Sequence, residues 1–411
     1  MRPGDGLEGV QPLQGLQVLD LTRLLPGPLC TMILADYGAD VIKIEDLEAG
    51  DLTRYVGSSI GGGLGKEGAL FRKLNRNKKS LALDLKEEGG RDILKTLAAK
   101  ADVLVEGFRP GVMKRLQIGY RELSRLNEAL IYAAITGYGQ GGPYRNKAGH
   151  DLNYMALSGL LELSASEGCP PVMPTAQISD VAGGALMAVN GIMMALYERE
   201  KTGRGRFVDV SMTRGLLPWL AYPASYLDRD QGLPRRGRCL LSGAYACYNI
   251  YETADGGYMS LAALEPVFWQ RFCETVDKPQ WMERQFEQEK NEPVGSRALR
   301  KEVQALFKSK TRAQWEDLFK TVDACCEPVL DLHEAIDHPL SREENYWLEA
   351  ALDNETMEKL PGFPLLFSGR GGEMRLPPPG HGQHTEEILK DLGYGAGDIE
   401  ELKHQHIIKK T

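Results

Sequence analysis

The stretch LQVLDLTRLLPGPLCTMILADYGADVIKIED, Leu16–Asp46, decides the fold. LQVLDL is a short apolar strand, TRLLPGP a turn, LCTMILADYG a helical stretch and DVIKIED a second strand. Two strands joined through a helix make a βαβ unit, which implies a parallel sheet. The pattern repeats in KKSLALDL followed by KEEGGRDILKTLAAKADVLVEGF, where Ile93, Leu94, Leu97 and Ala98 share one helix face. ALIYAAITGYG is another buried strand, ending in glycines. Residues 1–140 therefore predict an open α/β sheet with loops at its strand ends, where such sheets bind ligands.

The character changes near residue 212. TRGLLPWLAYPASYLDRDQGLPRRGRCLLSG is rich in Pro, Gly and Arg and reads as an extended linker. From Ala246 come strands with a hairpin turn at Asp255–Gly256–Gly257, then helices to about Phe319, a pattern that predicts a smaller α+β unit. Beyond the turn-rich GFPLLFSGRGGEMRLPPPGHGQ, the segment HTEEILKDLGY starts a helix with Thr385 as the expected N-cap and two glutamates in its first turn.

The 411 residues are 42% hydrophobic and 26% charged, ordinary for a soluble globular protein. A net charge of −8 without a long basic run argues against a nucleic-acid partner, while a local basic patch for a small anion stays open. Seven cysteines, scattered apart from Cys325–Cys326 and without CxxC spacing, point to a reducing cytoplasm. The N-terminal residues show no charged-then-apolar signal pattern. VAGGALMAVNGIMMALY carries Asn190 and three glycines and runs straight into Glu198-Arg199-Glu200, so a buried core helix is expected rather than a membrane span.

The first strand–helix loop has one glycine between two prolines and lacks the GxGxxG of dinucleotide sites. GGGLGKEG, Gly61–Gly68, lacks the Walker lysine spacing and reads as a flexible loop. His381 and His384 lack acidic or thiol partners, so no metal site is expected. What remains is a histidine and several glycine-flanked acids. Asp180 in QISDVAGGALMAV precedes an apolar helix, where the helix N-terminus would favour its anion or where it would act as a plain N-cap. Glu265 in LAALEPVFW closes a strand before Pro266. His150, beside Asp151 in NKAGHDLNYMALSGLL, is a base, a cap or a surface ring.

Taken together with NRNKKSLALDL, VLVEGFRPGVMKRL, ITGYGQGGPYRNKAGHDLNY, SDVAGGALMAVNGIMMALYEREKTGRGRFVDVSM and PPPGHGQHTEEILKDLGY, the opening stretch resembles the family III CoA-transferase superfamily (CaiB/BaiF type) over nearly the whole chain. That superfamily includes the α-methylacyl-CoA racemases. The resemblance implies a Rossmann-like large α/β domain with a parallel sheet, a smaller α+β domain and two chains interlocked as a homodimer. The expected organisation is a large CoA-binding domain over 1–211, a linker over 212–245, a small domain over 246–335, and a linker and return to the large domain over 336–411.

Two chemistries follow from the resemblance. In racemases the positions of His150 and Asp180 form an acid–base pair, and a glutamate, here Glu265, supports the histidine. Inverting a carbon next to a thioester needs two such groups, one on each face, with pKa values near working pH. In transferases the position of Asp180 is a nucleophile that carries CoA as an aspartyl thioester. The trio favours α-proton transfer on a 2-methylacyl-CoA, with CoA transfer as the alternative. Enolate donors are expected from N–H groups near Val181. CoA enters as part of an acyl-CoA substrate, with no tightly bound cofactor and no nucleic-acid or membrane partner. Its phosphates are expected at Arg115 first, then Arg109, Lys43 and Asn77, with Asp151 as a further CoA contact. Tyr154, Trp219 and Tyr222 would line an acyl pocket or pack in the core. Three departures stand out: Asp46-Leu47 replaces the usual Arg-Pro, Ala176 stands where racemases often have Asn, and LLSGAYACYNIYE lacks the glycine run of oxalate-type transferases.

Overall fold

The computed structural model describes residues 11–56, 68–227, 234–290, 295–351 and 357–409. The glycine-rich segment expected as a flexible loop, Gly61–Gly68, lies outside them except for its last residue. The chain packs as two compact units. One comprises residues 1–158, 176–216 and 343–411, the other 159–175 and 217–342.

The first unit is built on six parallel strands: β1 (Gln17–Leu21), β2 (Asp40–Glu45), β3 (Lys78–Ala82), β4 (Val103–Glu106), β5 (Ile131–Thr136) and β6 (Phe207–Ser211). Their order is β3-β2-β1-β4-β5-β6. The chain thus builds outward from β1 to one side, then returns and builds to the other. The strand order reverses between β1 and β4, and the carboxyl edge at such a reversal is the usual ligand position in sheets of this kind.

Alternation along the strands feeds two apolar layers. On one face Leu19, Leu81, Leu104, Tyr132 and Ala134 pack with helix α3 (Glu88–Ala98) through Ile93, Leu94, Leu97 and Ala98. On the other, Val18, Val41, Val103, Val105, Ile131 and Ala133 meet α1 (Pro26–Asp36) and a long helix from Ser179 to Thr202. That helix is long and apolar enough in composition to cross a membrane. Ala188, Ile192 and Ala195 are buried, yet Met194 and Tyr197 are 71% and 66% exposed. It is a half-buried helix with a bare apolar stripe, not the fully buried one expected.

Charge also lies inside this unit. Asp20 on β1 is completely buried and accepts hydrogen bonds from Lys78 Nζ (3.0 Å), Thr31 Oγ1 (2.7 Å) and the Thr22 N–H (2.9 Å). Burial alone would raise its carboxyl, but Lys43 and Lys78 hold it well below the usual range. Asp36 at the end of α1 takes a bidentate bond from Arg76 at 2.9 and 2.7 Å. Arg76 Nη1 also donates to the Pro361 carbonyl at 2.7 Å, in the antiparallel hairpin of β10 (Trp347–Ala351) and β11 (Met357–Pro361).

The returning chain continues through α11 (Thr385–Asp391) and α12 (Ala396–His404). Thr385 is not the N-cap. Its hydroxyl accepts the Ala82 N–H at 3.1 Å, serving the exposed end of β3, while His384 holds the cap position without a side-chain bond. His384 Nδ1 accepts the Ser80 N–H, and His381 Nε2 meets the Asp46 carbonyl at 2.7 Å, so both histidines tie the return segment to the sheet.

The second unit is α+β. Strands β7 (Tyr248–Glu252), β8 (Tyr258–Ala262) and β9 (Cys326–Pro328) form an antiparallel sheet in that order. Gly256, at φ +82°, closes the expected hairpin. Its core is aromatic: Phe272, in α8 (Pro266–Thr275), lies 5.4–6.0 Å from Trp269, Phe307 and Phe319. Residues 217–245, expected as linker, belong to this unit, and so does 159–175. Glu167 binds Arg297 at 2.9 Å and Arg300 at 3.3 Å, and Arg236 binds Glu162 at 2.8 Å.

Removing one partner of a buried ion pair leaves the other charge uncompensated. Asp36→Ala is expected to lower unfolding stability by about 3–5 kcal/mol, measured by denaturant titration. A change under about 1 kcal/mol would mean that Arg76 is held by the β11 carbonyls instead.

Candidate active site

His150, Asp151 and Asp180 converge at one end of the first unit. Helix α6 (Asp151–Ser158) starts directly after His150. The Asn153 side chain accepts the His150 N–H at 3.1 Å, and the His150 carbonyl accepts the Asn153 N–H at 2.8 Å. The backbone of His150 thus caps α6, while its exposed imidazole has no hydrogen-bond partner among the described residues. Gly149 keeps this corner tight. A Cβ there would stand 2.7 Å from Tyr138 Oη and from the Tyr154 ring, which pack edge-on with centroids 5.2 Å apart. Tyr154 is therefore a buried part of this aromatic packing.

The long helix opens with a π-helical segment, Ser179–Leu186, and becomes α7 at Met187–Thr202. Such segments are rare and concentrate at functional sites. Two glycines permit its seating. A Cβ on Gly183 would lie 2.3 Å from the Met212 carbonyl, and one on Gly184 would lie 2.9 Å from Pro26 at the start of α1. Asp151 Oδ1 accepts the Asp180 N–H at 2.9 Å, and Ser179 Oγ donates to the Asp151 carbonyl at 3.3 Å. These bonds bring Asp180 against the residue next to His150.

Asp180 is half-buried, and its carboxyl is pushed up to about 7, first by desolvation and then by the neighbouring charge of Asp151. Asp180 does lie in the first turn of the π-segment, but desolvation and Asp151 outweigh the preference of a helix start for its anion. The Val181 N–H, expected to meet an enolate, instead donates to the Gln177 carbonyl at 3.0 Å. The Tyr154 hydroxyl is raised to about 12 by burial and by the charge of Asp180. Glu265 belongs to the second unit. It is exposed at the N-cap position of α8, without a side-chain capping bond. In that unit Trp219 is exposed, and the Tyr222 and Tyr226 hydroxyls bond to each other at 2.9 Å.

The expected phosphate ligands divide in two. Arg109, in the loop after β4, and Arg115, at the end of α4 (Val112–Arg115), are exposed with no ion-pair partner among the described residues. Lys43 and Asn77 are internal instead. Lys43 Nζ contacts Asp51 Oδ2 and the Thr22 carbonyl, each at 2.9 Å. Asn77 donates to Asp36 and the Glu373 carbonyl, and accepts the N–H groups of Arg375 and Leu376. Both are fully engaged in holding loops together and cannot offer an atom to a phosphate in this arrangement. Arg23, which sequence reasoning did not single out, is a further exposed cation, in the loop after β1. Its only signal was its place in TRLLPGP, at the end of a central strand.

Residues 13–385 match the family model for CoA-transferase family III. Human alpha-methylacyl-CoA racemase is 36% identical over 404 residues, covering 97% of this chain and 98% of the relative. Human succinyl-CoA:glutarate CoA-transferase is 33% identical over 395 residues, covering 95% and 88%. Among solved structures, a CAIB/BAIF family protein from Brucella suis superposes with a TM-score of 0.77 at 26% identity, over 93% of this chain and 99% of that one.

The raised carboxyl of Asp180 has a stability signature. Its proton stabilises the fold in full below the ordinary carboxylate value of 3.8, and that contribution is lost as pH climbs to about 7. Asp180→Asn, which cannot ionise, is expected to match the parent's Tm near pH 4 and to exceed it by a few degrees at pH 8. Equal Tm differences at both values would contradict the raised carboxyl.

Proposed function

The chain belongs to CoA-transferase family III, and from that membership we propose that it moves the α-proton of a 2-methylacyl-CoA thioester, with His150 and Asp180 as the acid–base pair. The observation that carries this reading is the Asp180 carboxyl at about 7. A group that holds its proton about half the time near neutrality can deliver one as readily as it takes one. An aspartate acting as nucleophile would be served better by a fully ionised carboxylate.

In one direction the neutral imidazole of His150 takes the α-proton, leaving an enolate whose negative charge is shared with the thioester oxygen. The protonated Asp180 then delivers its proton to the opposite face of the same carbon. The product has inverted configuration, His150 is now an imidazolium and Asp180 a carboxylate, so the enzyme is poised for the reverse turnover. Asp151 supports both partners: it follows His150 directly, and its carboxylate fixes the Asp180 backbone. Glu265, an exposed carboxylate of the second unit, is the proposed third member. Arg109 and Arg115 are the proposed phosphate contacts. CoA transfer through an aspartyl thioester at Asp180 is the second reading, favoured by the 33% identity to the glutarate transferase.

The same proposal includes an interlocked homodimer in a reducing cytoplasm. Exposed Met194 and Tyr197 in the first unit, and Leu217 and Trp219 in the second, are apolar surfaces that a partner chain would cover. All seven cysteines are free thiols.

In D2O and without any acceptor acid, the protein is expected to wash deuterium into the α-carbon of a 2-methylacyl-CoA. His150→Ala should slow exchange by at least about 100-fold. No exchange across a panel of branched thioesters, together with a hydroxylamine-sensitive adduct on Asp180, would instead establish the transferase. Sedimentation equilibrium is expected to return twice the chain mass, and a monomer would remove the interlocked assembly.

A further inference from the structure

At the carboxyl edge of the sheet an anion stands among the cations. Asp46 follows β2 directly, and its Oδ1 accepts the N–H groups of Glu48, Ala49 and Gly50 at 3.1, 2.9 and 3.1 Å. The Asp46 carbonyl is held by His381 Nε2 at 2.7 Å. The carboxylate is therefore fixed in place, and its second oxygen lies 3.9 Å from Arg23 Nη1. Both side chains are about half exposed, at 49% each.

Arg23 also faces the loop after β4. Its guanidinium carbon is 5.7 Å from the centroid of the Phe108 ring. The Phe108 N–H donates to the buried Glu106 carboxylate at 2.7 Å, so this ring is anchored, and Arg109 follows it in the chain. Arg23 and the Phe108–Arg109 loop thus meet where the strand order reverses between β1 and β4. Arg109 and Arg115 have no carboxylate within ion-pair distance among the described residues, whereas Arg23 has Asp46.

We infer that Arg23 is a third cation for the phosphates of the CoA substrate, and that Asp46 is a built-in competitor that weakens this grip. The inference rests on the proposed CoA thioester substrate. A solvent-exposed pair at 3.9 Å is weak and yields to a phosphate, which offers Arg23 two shorter, charge-assisted bonds. Asp46 cannot retreat, because three backbone N–H groups hold it, so its charge continues to repel the incoming phosphate. The pair sets how much the nucleotide half of CoA adds to binding. This chain should discriminate less between a full CoA thioester and a phosphate-poor analogue than its three arginines alone would allow.

The test compares KM for one acyl group carried on CoA and on pantetheine, which lacks the nucleotide. Arg23→Ala is expected to raise the KM ratio of CoA to pantetheine thioester about tenfold, the size of one partly screened ionic contact. Asp46→Asn keeps the Oδ1 acceptor, so the loop survives, and the ratio is expected to fall by roughly threefold to tenfold. Circular dichroism and Tm of both variants report whether the fold is intact. Ratios unchanged in both variants, or raised in both, would overturn the inference while leaving the CoA substrate in place. A parent protein that neither binds nor turns over any CoA thioester would overturn both readings.

Discussion

The first unit depends on burying the carboxylate of Asp20 against two lysines from neighbouring strands. Taking three charges out of water is costly, and only close, saturated hydrogen bonding offsets it. Here Lys78 comes from β3, Lys43 from β2, Thr22 from the loop that follows and Thr31 from α1. One carboxylate therefore fixes the spacing of three strands and the first turn of the loop. That loop presents Arg23 and delivers Pro26 to the face on which Gly184 packs. The position of the π-helical segment, and with it Asp180, is inherited from an ion cluster at the middle of the sheet.

The behaviour of Asp180 follows from what surrounds it. Its backbone is tied to Asp151 and its carboxyl is half out of water beside a second negative charge, so both effects favour the proton. The helix N-terminus pulls the other way and is outweighed. The wider turns of the π-segment and its paired glycines allow the helix to sit close to α1 and the Met212 carbonyl without displacing that carboxyl. The π-helical turns and the raised carboxyl share the same eight residues.

Much of this was legible in the sequence. Short apolar runs and the helical periods between them gave away five of the six parallel strands and the sheet class, and Asp-Gly-Gly marked the hairpin of the second unit. What failed were inferences from residue type to exposure. The family resemblance implies phosphate contacts at Lys43 and Asn77, and it says nothing of their burial. Their burial depends on Asp51, Asp36 and the chain near Glu373, which are brought there only by the tertiary fold. Likewise the proton affinity of Asp180 depends on its burial and on Asp151, which lies far from it along the chain, and Thr385 could be recognised as a partner of β3 only once α11 was seated. The half-bare helix of Met194 and Tyr197 shows the limit of composition: apolarity does not say which face meets the sheet.

The path of the chain through its two units has a consequence for how it is made. It leaves the first unit at 158, returns for 176–216, leaves again, and comes back only at 343. The last strand of the parallel sheet, β6, and the π-segment emerge from the ribosome before residues 217–342 of the second unit, but the residues that close over Asn77 and Ser80 emerge after them. During synthesis the open edge at β3 waits uncovered while more than two thirds of the chain is added. The first unit can reach its final form only when residues 375–385 have left the exit tunnel, so a segment made after the second unit locks strands made before it.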